Sequence, residues 1–393
     1  MEILILGRGK SAKALFNKLK DNNNVKFAIE ENEKIDEYSI YKKDVNINQY
    51  NIFYVSPGIS FKDKLVVKLK ENNKLISSEI NYALDKLKKH KIIAISGSNG
   101  KTTVASLLHF ILDKLNIKNV VCGNIGDPLV NYINVSLDTF IILELSSFQL
   151  ENIKFLNPYI SIITNITPNH LDRHTFNEYI ECKKNIYKEI DSKNYFISNK
   201  NTIKTFNINP KCNILTYKKY KVKSKYLKGN HNYLNFGIIK EVMNILNIKK
   251  YKKYIKEFQG VKYRLEYIGK YNNTNIYNDA KSSTIYSSIE AIKSVGYNTL
   301  LILGGRNKNI DYSCINNIKV KKIIIYGEEA KKTNLKIEKF SDLNDIFEYL
   351  KIHINEYKNI LYSPGFTSFD LYENYIKRGE DFENKCKEYF KIK

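Results

Sequence analysis

Continuous apolar runs of strand length recur along this chain, each cut off by glycine, proline or a small polar residue and followed by a stretch of helical length. "EILIL" (2–6), "KIIAIS" (91–96), "FIILEL" (140–145), "YISIIT" (159–164), "TLLILGG" (299–305), "KKIIIYG" (321–327) and "NILYSPG" (359–365) are of this kind. A strand that is apolar on both faces must be covered on both, and the intervening helical segments supply the covers. The expected product is α/β, with mostly parallel sheets and crossover helices.

The 393 residues exceed what one hydrophobic core usually supports. Three consecutive domains are expected. The first, 1–85, is Rossmann-like, with strands "EILILG", "VKFAI" and "IFYVSPG" and a helix burying Ala12, Leu15, Phe16 and Leu19. The second, 86–260, adds "NVVC", "TFIILEL", "YISIIT" and "NYFIS" to the strand at 91–96. The third, 261–393, opens at "FQGVKYRLE" and carries "NIYNDAK", "TLLILGG", "KKIIIYG" and "NILYSPG" in a second Rossmann-like sheet.

Within the central domain, "ISGSNGKTT" (95–103) joins a strand to a helix whose apolar positions are Val104, Leu107, Leu108, Ile111 and Leu115. The usual phosphate-loop pattern places a glycine five residues before Gly100, where this chain has Ile95; the first glycine has moved to Gly97. Backbone N–H groups and the positive end of the helix dipole converge at such a turn. Lys101 can then reach the β- and γ-phosphates while Thr102 ligates magnesium. Glu144 ends one buried strand and His170 follows another, and ligands of open α/β sheets bind at the carboxyl ends of strands. Lys101, Glu144 and His170 are therefore expected to face one site. "GRGKSA" (7–12), with Glu30 closing the next strand, has the GxGxxA pattern of a dinucleotide fold, a turn that also holds other phosphate esters or serves as a purely structural Rossmann-like turn.

The net charge of +23 is carried mostly by lysine, spread along a chain also rich in Asn, Ile and Tyr. No RNA-binding signature accompanies it, so nucleic acid is not an expected partner, although anionic small substrates gain from the field. No apolar stretch approaches membrane-span length, and the amino terminus lacks a basic leader; a cytoplasmic protein without membrane insertion is expected. The five cysteines, Cys122, Cys182, Cys212, Cys314 and Cys386, are scattered and odd in number, which argues against a disulfide framework or a zinc site.

Taken together, "GSNGKTT", "GNIG" (123–126), "ELSSFQLE" (144–151), "NITPNHLDRH" (165–174) and "GNHNYLN" (229–235) resemble the central domain of the Mur ligases. The resemblance continues through "YNDAKSST" (277–284), "LGGRNKNIDY" (303–312) and "SPGFTSFDLYENYIKRGEDF" (363–382), and so spans the chain. "ELSSFQLE" and the carboxyl-terminal segment are features of the D-glutamate-adding branch. The resemblance implies an ATP-dependent ligase joining D-glutamate to UDP-N-acetylmuramoyl-L-alanine, with ATP and two magnesium ions, acting as a monomer in peptidoglycan precursor synthesis. A ligase for another amino acid, of Mur or folylpolyglutamate synthase type, and a nucleotide-binding module without activity are the alternatives.

The resemblance also implies residue roles. Gly97, Ser98, Asn99, Gly100, Lys101, Thr102 and Thr103 would hold ATP phosphates, with Asn232 and Asn235 at the adenine and Arg264 and Asp279 reaching the nucleotide. Thr102, Glu144, His170 and a carbamylated Lys183 would bind the two ions; Lys101, His170 and Lys183 form the implied catalytic set. Lys183 shares a helical face with Tyr179, Cys182, Ile186 and Ile190, while Lys184 points about 100° away. Gly7, Gly9, Lys10, Ser11, Ser56, Asn124 and Ser146 would take the UDP-substrate, and Lys281, Thr284, Lys308, Ser368 and Tyr375 the D-glutamate. Several positions depart from the family pattern: Ser98 stands for threonine, Lys262 and Tyr263 for proline-like and histidine positions, Asn309 follows Lys308 in the acid turn, and Tyr375 stands for phenylalanine.

Overall fold

A computed structural model describes residues 1–392 apart from 170–172, 225, 228 and 308–311. It divides into two compact units, Met1–Lys221 with Tyr233–Tyr254, and Val222–Asn232 with Ile255–Lys393.

The first unit holds two sheets. Strands β1 (Glu2–Leu6), β2 (Asn24–Ile29), β3 (Ser39–Tyr41), β4 (Ile52–Val55) and β5 (Ile76–Ser77) form a parallel sheet in the order β3-β2-β1-β4-β5. Strands β6 (Ile92–Ser96), β7 (Asn119–Gly123), β8 (Phe140–Glu144), β9 (Ile160–Ile163), β10 (Tyr195–Ser198) and β11 (Asn213–Thr216) form a second, in the order β11-β10-β9-β6-β8-β7, again all parallel. In this sheet β6 is flanked by β8 and β9, and the chain reverses its direction of winding there. The register pairs Ile95 with Glu144 and Ser96 with Ile163, so three strand ends open into one crevice.

The helix Lys101–Lys114 leaves that crevice and buries Val104, Leu107, Leu108 and Ile111 against the sheet, the predicted stripe; Leu115 is its C-cap. Helix Lys10–Leu19 likewise buries Ala12, Leu15, Phe16 and Leu19. One apolar cluster runs from the first sheet to the second through Ile80, Ala83 and Leu84 of the helix Glu79–Lys86, and through Leu129 and Val130. Each such side chain, fully buried, contributes on the order of 1.5–3 kcal/mol, so this continuity holds the two sheets together. Glu79 lies in the seam, where its Oε1 accepts the Val130 N–H at 2.7 Å. Burial there pushes its carboxyl up to about 7.

The stripe around Lys183 differs from an uninterrupted helix. A capping box of Thr175 and Glu178 starts the helix Phe176–Lys184, which tightens into a 3-10 turn at Asn185–Tyr187. Tyr179, Lys183, Ile186 and Ile190 are buried, whereas Cys182 is only half-buried.

The second unit contains β12 (Glu266–Tyr271), β13 (Thr274–Asn278), β14 (Thr299–Gly304), β15 (Lys322–Tyr326), β16 (Glu338–Phe340) and β17 (Asn359–Gly365), ordered β12-β13-β17-β14-β15-β16. All pairs are parallel except the edge pair β12 and β13, an antiparallel hairpin. Packing of Leu343, Phe347 and Leu350 from one helix, and Phe382 and Cys386 from another, covers one face. Among the described residues no helix is long and apolar enough to cross a membrane.

Candidate active site

The phosphate loop follows β6, and the segment after β9 clamps it. Ser98 N–H donates to the Asn165 carbonyl at 2.9 Å and Asn99 N–H to Asn165 Oδ1 at 3.0 Å, while Thr164 Oγ1 donates to the Asn99 carbonyl at 2.6 Å. Gly97 and Gly100 have φ of +142° and +84°, a region that disfavours side chains. Space forbids them as well: a Cβ on Gly97 would collide with Thr164, and one on Gly100 would lie 2.6 Å from Asn235 Oδ1. Asn235 thus abuts the loop. Lys101 Nζ donates to the carbonyls of Gly97 (2.8 Å) and Ser98 (3.1 Å), holding its ammonium over the loop, with Thr102 buried and half-buried Thr103 beside it in the first helical turn. The Ser98 hydroxyl donates to the Thr167 carbonyl at 2.9 Å and meets Tyr179 Oη at 3.0 Å, so serine serves where threonine is usual.

Glu144 is completely buried at the end of β8. Its Oε1 accepts from Asn124 Nδ2 at 2.8 Å, and its Oε2 has no hydrogen-bond partner among the described residues. A buried carboxylate oxygen without a donor is costly unless a cation meets it, and oxygen ligands are those magnesium prefers. The site therefore fits a magnesium ion. Lys183 is also buried, with Nζ 3.2 Å from Ser96 Oγ and 4.6 Å from the centre of the Tyr179 ring. Burial, reinforced by the nearby Lys101 ammonium, pushes its pKa down to about 7. Lys184 instead pairs with Glu181 at 2.8 Å. His170 lies outside the described residues. Among those described, no cluster of three or more His, Cys, Asp or Glu could hold a metal.

A cavity of about 560 Å³ opens at the carboxyl ends of the first sheet and reaches the end of β7 and the segment after β8. Gly7, Gly9, Lys10, Ser11, Ser56, Asn124 and Ser146 all line it. Gly7, at φ +82°, turns the chain into a helix whose N-cap is Gly9, the geometry that receives phosphate esters. Lys10 Nζ bonds the Gly126 carbonyl at 2.7 Å and Asp127 at 2.8 Å, tying this turn to the central sheet. The Ser56 hydroxyl is buried without a partner among the described residues. Ser146 caps a short helix through a capping box with Gln149. Glu30, the ribose-binding position of a dinucleotide fold, is engaged by Lys42, which also bridges to Asp63.

In the second unit, Asp279 follows β13 and accepts from Leu265 N–H (3.0 Å) and Ser363 Oγ (2.7 Å); burial nevertheless pushes its carboxyl up to about 6. Arg264 Nε is buried without a partner among the described residues. Lys281 and Thr284 lie in the loop after β13, and Ser368 follows β17. Thr284 caps the helix Ile285–Val295, and Tyr375 is the first residue of Tyr375–Phe390. The two aromatic departures meet: Tyr263 packs edge-on to Tyr375 at 6.4 Å, and Lys281 Nζ lies 5.1 Å from the Tyr375 ring centre. Asn232 N–H donates to the Gly229 carbonyl at 3.2 Å. Lys308 lies outside the described residues.

Sequence reasoning did not single out Arg173. It donates to the carbonyls of Pro57 (2.8 Å) and Ile59 (3.0 Å), pairs with Glu151 at 2.8 Å, and stacks its guanidinium 4.2 Å from the centre of the Phe148 ring. Only its place in "NHLDRH" could have marked it, because its carbonyl partners, Pro57 and Ile59, come from the other sheet.

Comparison with known proteins places the chain in a family. The Mur ligase middle domain family matches residues 95–278. A UDP-N-acetylmuramoylalanine--D-glutamate ligase of Petrotoga mobilis is 32% identical, the alignment covering 97% of this chain and 98% of that protein. One of the same name from Francisella tularensis subsp. novicida is 30% identical over 98% and 95%. The chain belongs to the Mur ligase family. Solved structures agree on the fold: Thermotoga maritima UDP-N-acetylmuramate-alanine ligase superposes with a TM-score of 0.60 at 15% identity over 99% of both chains. Thermotoga maritima MurF ligase in complex with ADP gives 0.61 at 15% identity, over 98% and 95%.

Proposed function

We propose that this chain is an ATP-dependent ligase that joins D-glutamate to UDP-N-acetylmuramoyl-L-alanine, acting as a cytoplasmic monomer in peptidoglycan precursor synthesis. The observation that carries the reading is the crevice of the second sheet. There a phosphate loop, a buried carboxylate with one open oxygen, and a buried lysine with a pKa of about 7 share one set of strand ends. The names of the full-length relatives support the choice of substrates.

The chemistry is amide formation from a carboxylate and an amine, which requires a better leaving group than oxide. An oxygen of the L-alanine carboxylate attacks the γ-phosphorus, ADP departs, and an acyl phosphate forms. The amine of D-glutamate then attacks the acyl carbon, inorganic phosphate leaves, and the nitrogen loses its proton. No protein nucleophile takes part; positioning and neutralisation of charge lower the barrier. In the first unit Lys101 and the N–H groups of 97–103 would hold the phosphates and Asn235 would border the adenine; in the second unit Asn232, Arg264 and Asp279 are the residues suited to the nucleotide. Two magnesium ions, when bound, neutralise phosphate oxygens, and Thr102, Glu144, His170 and Lys183 would hold them.

A cationic Lys183 would repel magnesium. Its depressed pKa leaves much of the amine neutral near pH 7, the form that adds carbon dioxide to give a carbamate, and a carbamate offers oxygen ligands. The cavity lined by Gly7, Lys10, Ser56 and Asn124 suits the UDP end of the first substrate. Lys281, Thr284, Lys308, Ser368 and Tyr375 suit a dicarboxylic amino acid. The proposed division is a UDP-substrate domain at 1–85, an ATP domain at 86–260 and an amino-acid domain at 261–393.

Phosphate release by the purified chain, supplied with ATP, UDP-N-acetylmuramoyl-L-alanine and a panel of amino acids, tests the reading. D-glutamate should stimulate release far above D-glutamine or L-glutamate, because a site built for a hydrogen-bonding group leaves its own polar atoms unpaired with the wrong ligand. Stimulation by a different amino acid would reassign the substrate. ATP binding without any stimulation would leave a nucleotide-binding module.

A further inference from the structure

Arg378 is the largest fully buried side chain among the described residues, with 1% exposure. It stands in the first turn of the helix Tyr375–Phe390, where the helix dipole disfavours a cation, and no carboxylate among the described residues pairs with it. A buried charge in such a place is destabilising unless many acceptors surround it.

The acceptors are backbone carbonyls drawn from three strand ends. Nη2 donates to Ala280 at 2.8 Å and reaches Ser282 at 3.5 Å, both in the loop after β13. Nη1 donates to Phe366 at 3.0 Å, after β17, and reaches Gly304 at 3.4 Å, at the end of β14. The loops are also tied to each other, since Arg306 and Thr367 exchange backbone hydrogen bonds at 2.9 and 3.1 Å, and Gly365 N–H donates to the Ser282 carbonyl at 3.2 Å. Lys281 and Thr284 lie on the first loop and Ser368 follows Phe366 on the second. The fork geometry of guanidinium matters, because a lysine ammonium is a single point that cannot reach both sides.

We propose that Arg378 is the positioning residue of the amino-acid pocket: its buried guanidinium sets the spacing between the loop bearing Lys281 and Thr284 and the loop bearing Ser368. The inference rests on the ligase reading and deepens it. Binding of a dicarboxylate by groups on separate loops depends on their separation, whereas the phosphate loop and the UDP-substrate cavity contain none of these residues.

The test is steady-state kinetics of Arg378→Lys in the full chain, with each of the three substrates varied in turn and a thermal melt to verify folding. The Michaelis constant for D-glutamate should rise by about tenfold or more, the usual scale for losing hydrogen bonds from a charged group, while those for ATP and UDP-N-acetylmuramoyl-L-alanine stay within about twofold. An unchanged D-glutamate constant, or a joint rise in all three, overturns the proposal. If Arg378→Lys does not fold, Gly305→Ala decides by the same criteria. It keeps the guanidinium but sets a methyl 3.1 Å from Nη1 and against the Thr367 carbonyl. Wild-type protein that releases no phosphate in response to D-glutamate overturns the ligase reading itself, whereas an active wild type with an unselective variant overturns this inference alone.

Discussion

Lys183 and Ser96 meet inside the central sheet: the lysine nitrogen lies 3.2 Å from the serine hydroxyl, where burial and the Lys101 charge hold its pKa down to about 7. One residue along, Lys184 pairs with Glu181 and remains half-buried. Lys183→Ala should therefore abolish amino-acid-dependent phosphate release, and added short carboxylates should restore part of it by standing in for a carbamate. Lys184→Ala should stay active. An active Lys183→Ala, or an inactive Lys184→Ala, would refute the assignment.

Lys101 reaches back over its own loop to the carbonyls of Gly97 and Ser98. Lys101→Ala removes these bonds and the proposed phosphate contact but leaves the buried stripe of its helix intact. Turnover should fall by at least about 10²-fold, the scale of losing one preorganised electrostatic contact. A melting curve close to wild type, together with that loss, separates a chemical role from a structural one; near-normal turnover would make Lys101 an ordinary loop lysine.

Ser56 carries a buried hydroxyl with no partner among the described residues, in the cavity assigned to the UDP-substrate. Removing an unsatisfied buried hydroxyl costs the fold little. Ser56→Ala should thus match or exceed wild-type stability while raising the Michaelis constant for UDP-N-acetylmuramoyl-L-alanine and sparing that for ATP. Substantial destabilisation in a urea titration would mean that the hydroxyl bonds within the protein and not to the substrate.

Tyr263 holds an unusual backbone, φ +62°, and a side chain on Gly379 would collide with its ring. Its carbonyl accepts the Lys281 N–H at 3.0 Å, and its ring meets Tyr375, on whose face the Lys281 ammonium lies. Unfolding measurements on Tyr263→Ala, Tyr375→Ala and the double variant should give a coupling of about 0.5–1.5 kcal/mol, the range for aromatic pairs. Strict additivity would show that the two rings act independently.

Glu79 gives a pH signature. Burial raises its folded-state pKa from 4.5 to about 7, so between those values the folded chain binds more protons than the unfolded chain. Stability is then lost as pH rises through that window, and the cost is constant above it. Glu79→Gln keeps an acceptor for Val130 and cannot ionise. It should be more stable than wild type at pH 8 and equal to it near pH 4; a gain of the same size at both values would contradict this account.

The sites were legible in sequence to different degrees. Gly97 to Thr103, Glu144 and the turn at Gly7 announce themselves because each ends an apolar strand, and strand ends are where α/β sheets bind ligands. Arg173 and Arg378 do not. Each bridges distant loops largely through their backbone carbonyls, and carbonyls carry no side-chain signature. Arg378 sits among Lys377, Glu380 and Asp381 and reads as one more charge on a polar helix, yet it lies inside the fold.

The same division applies to the architecture. The interior strands β1, β2, β4, β6, β8, β9, β10, β13, β14, β15 and β17 are recognisable from the chain alone, since a strand covered on both faces is predominantly apolar. The edges β3, β5, β11 and β16 have only two to four residues, and much of their surface is exposed, so they carry no such run. The amino-acid order thus determined which segments become buried strands and where the glycine-rich turns at their ends lie. Only the tertiary structure decided that β8 and β9 flank β6, that the Lys183 nitrogen meets the Ser96 hydroxyl, and that one guanidinium joins three strand ends. These follow from sheet order and long-range packing, in which each residue's partners lie far away in the chain.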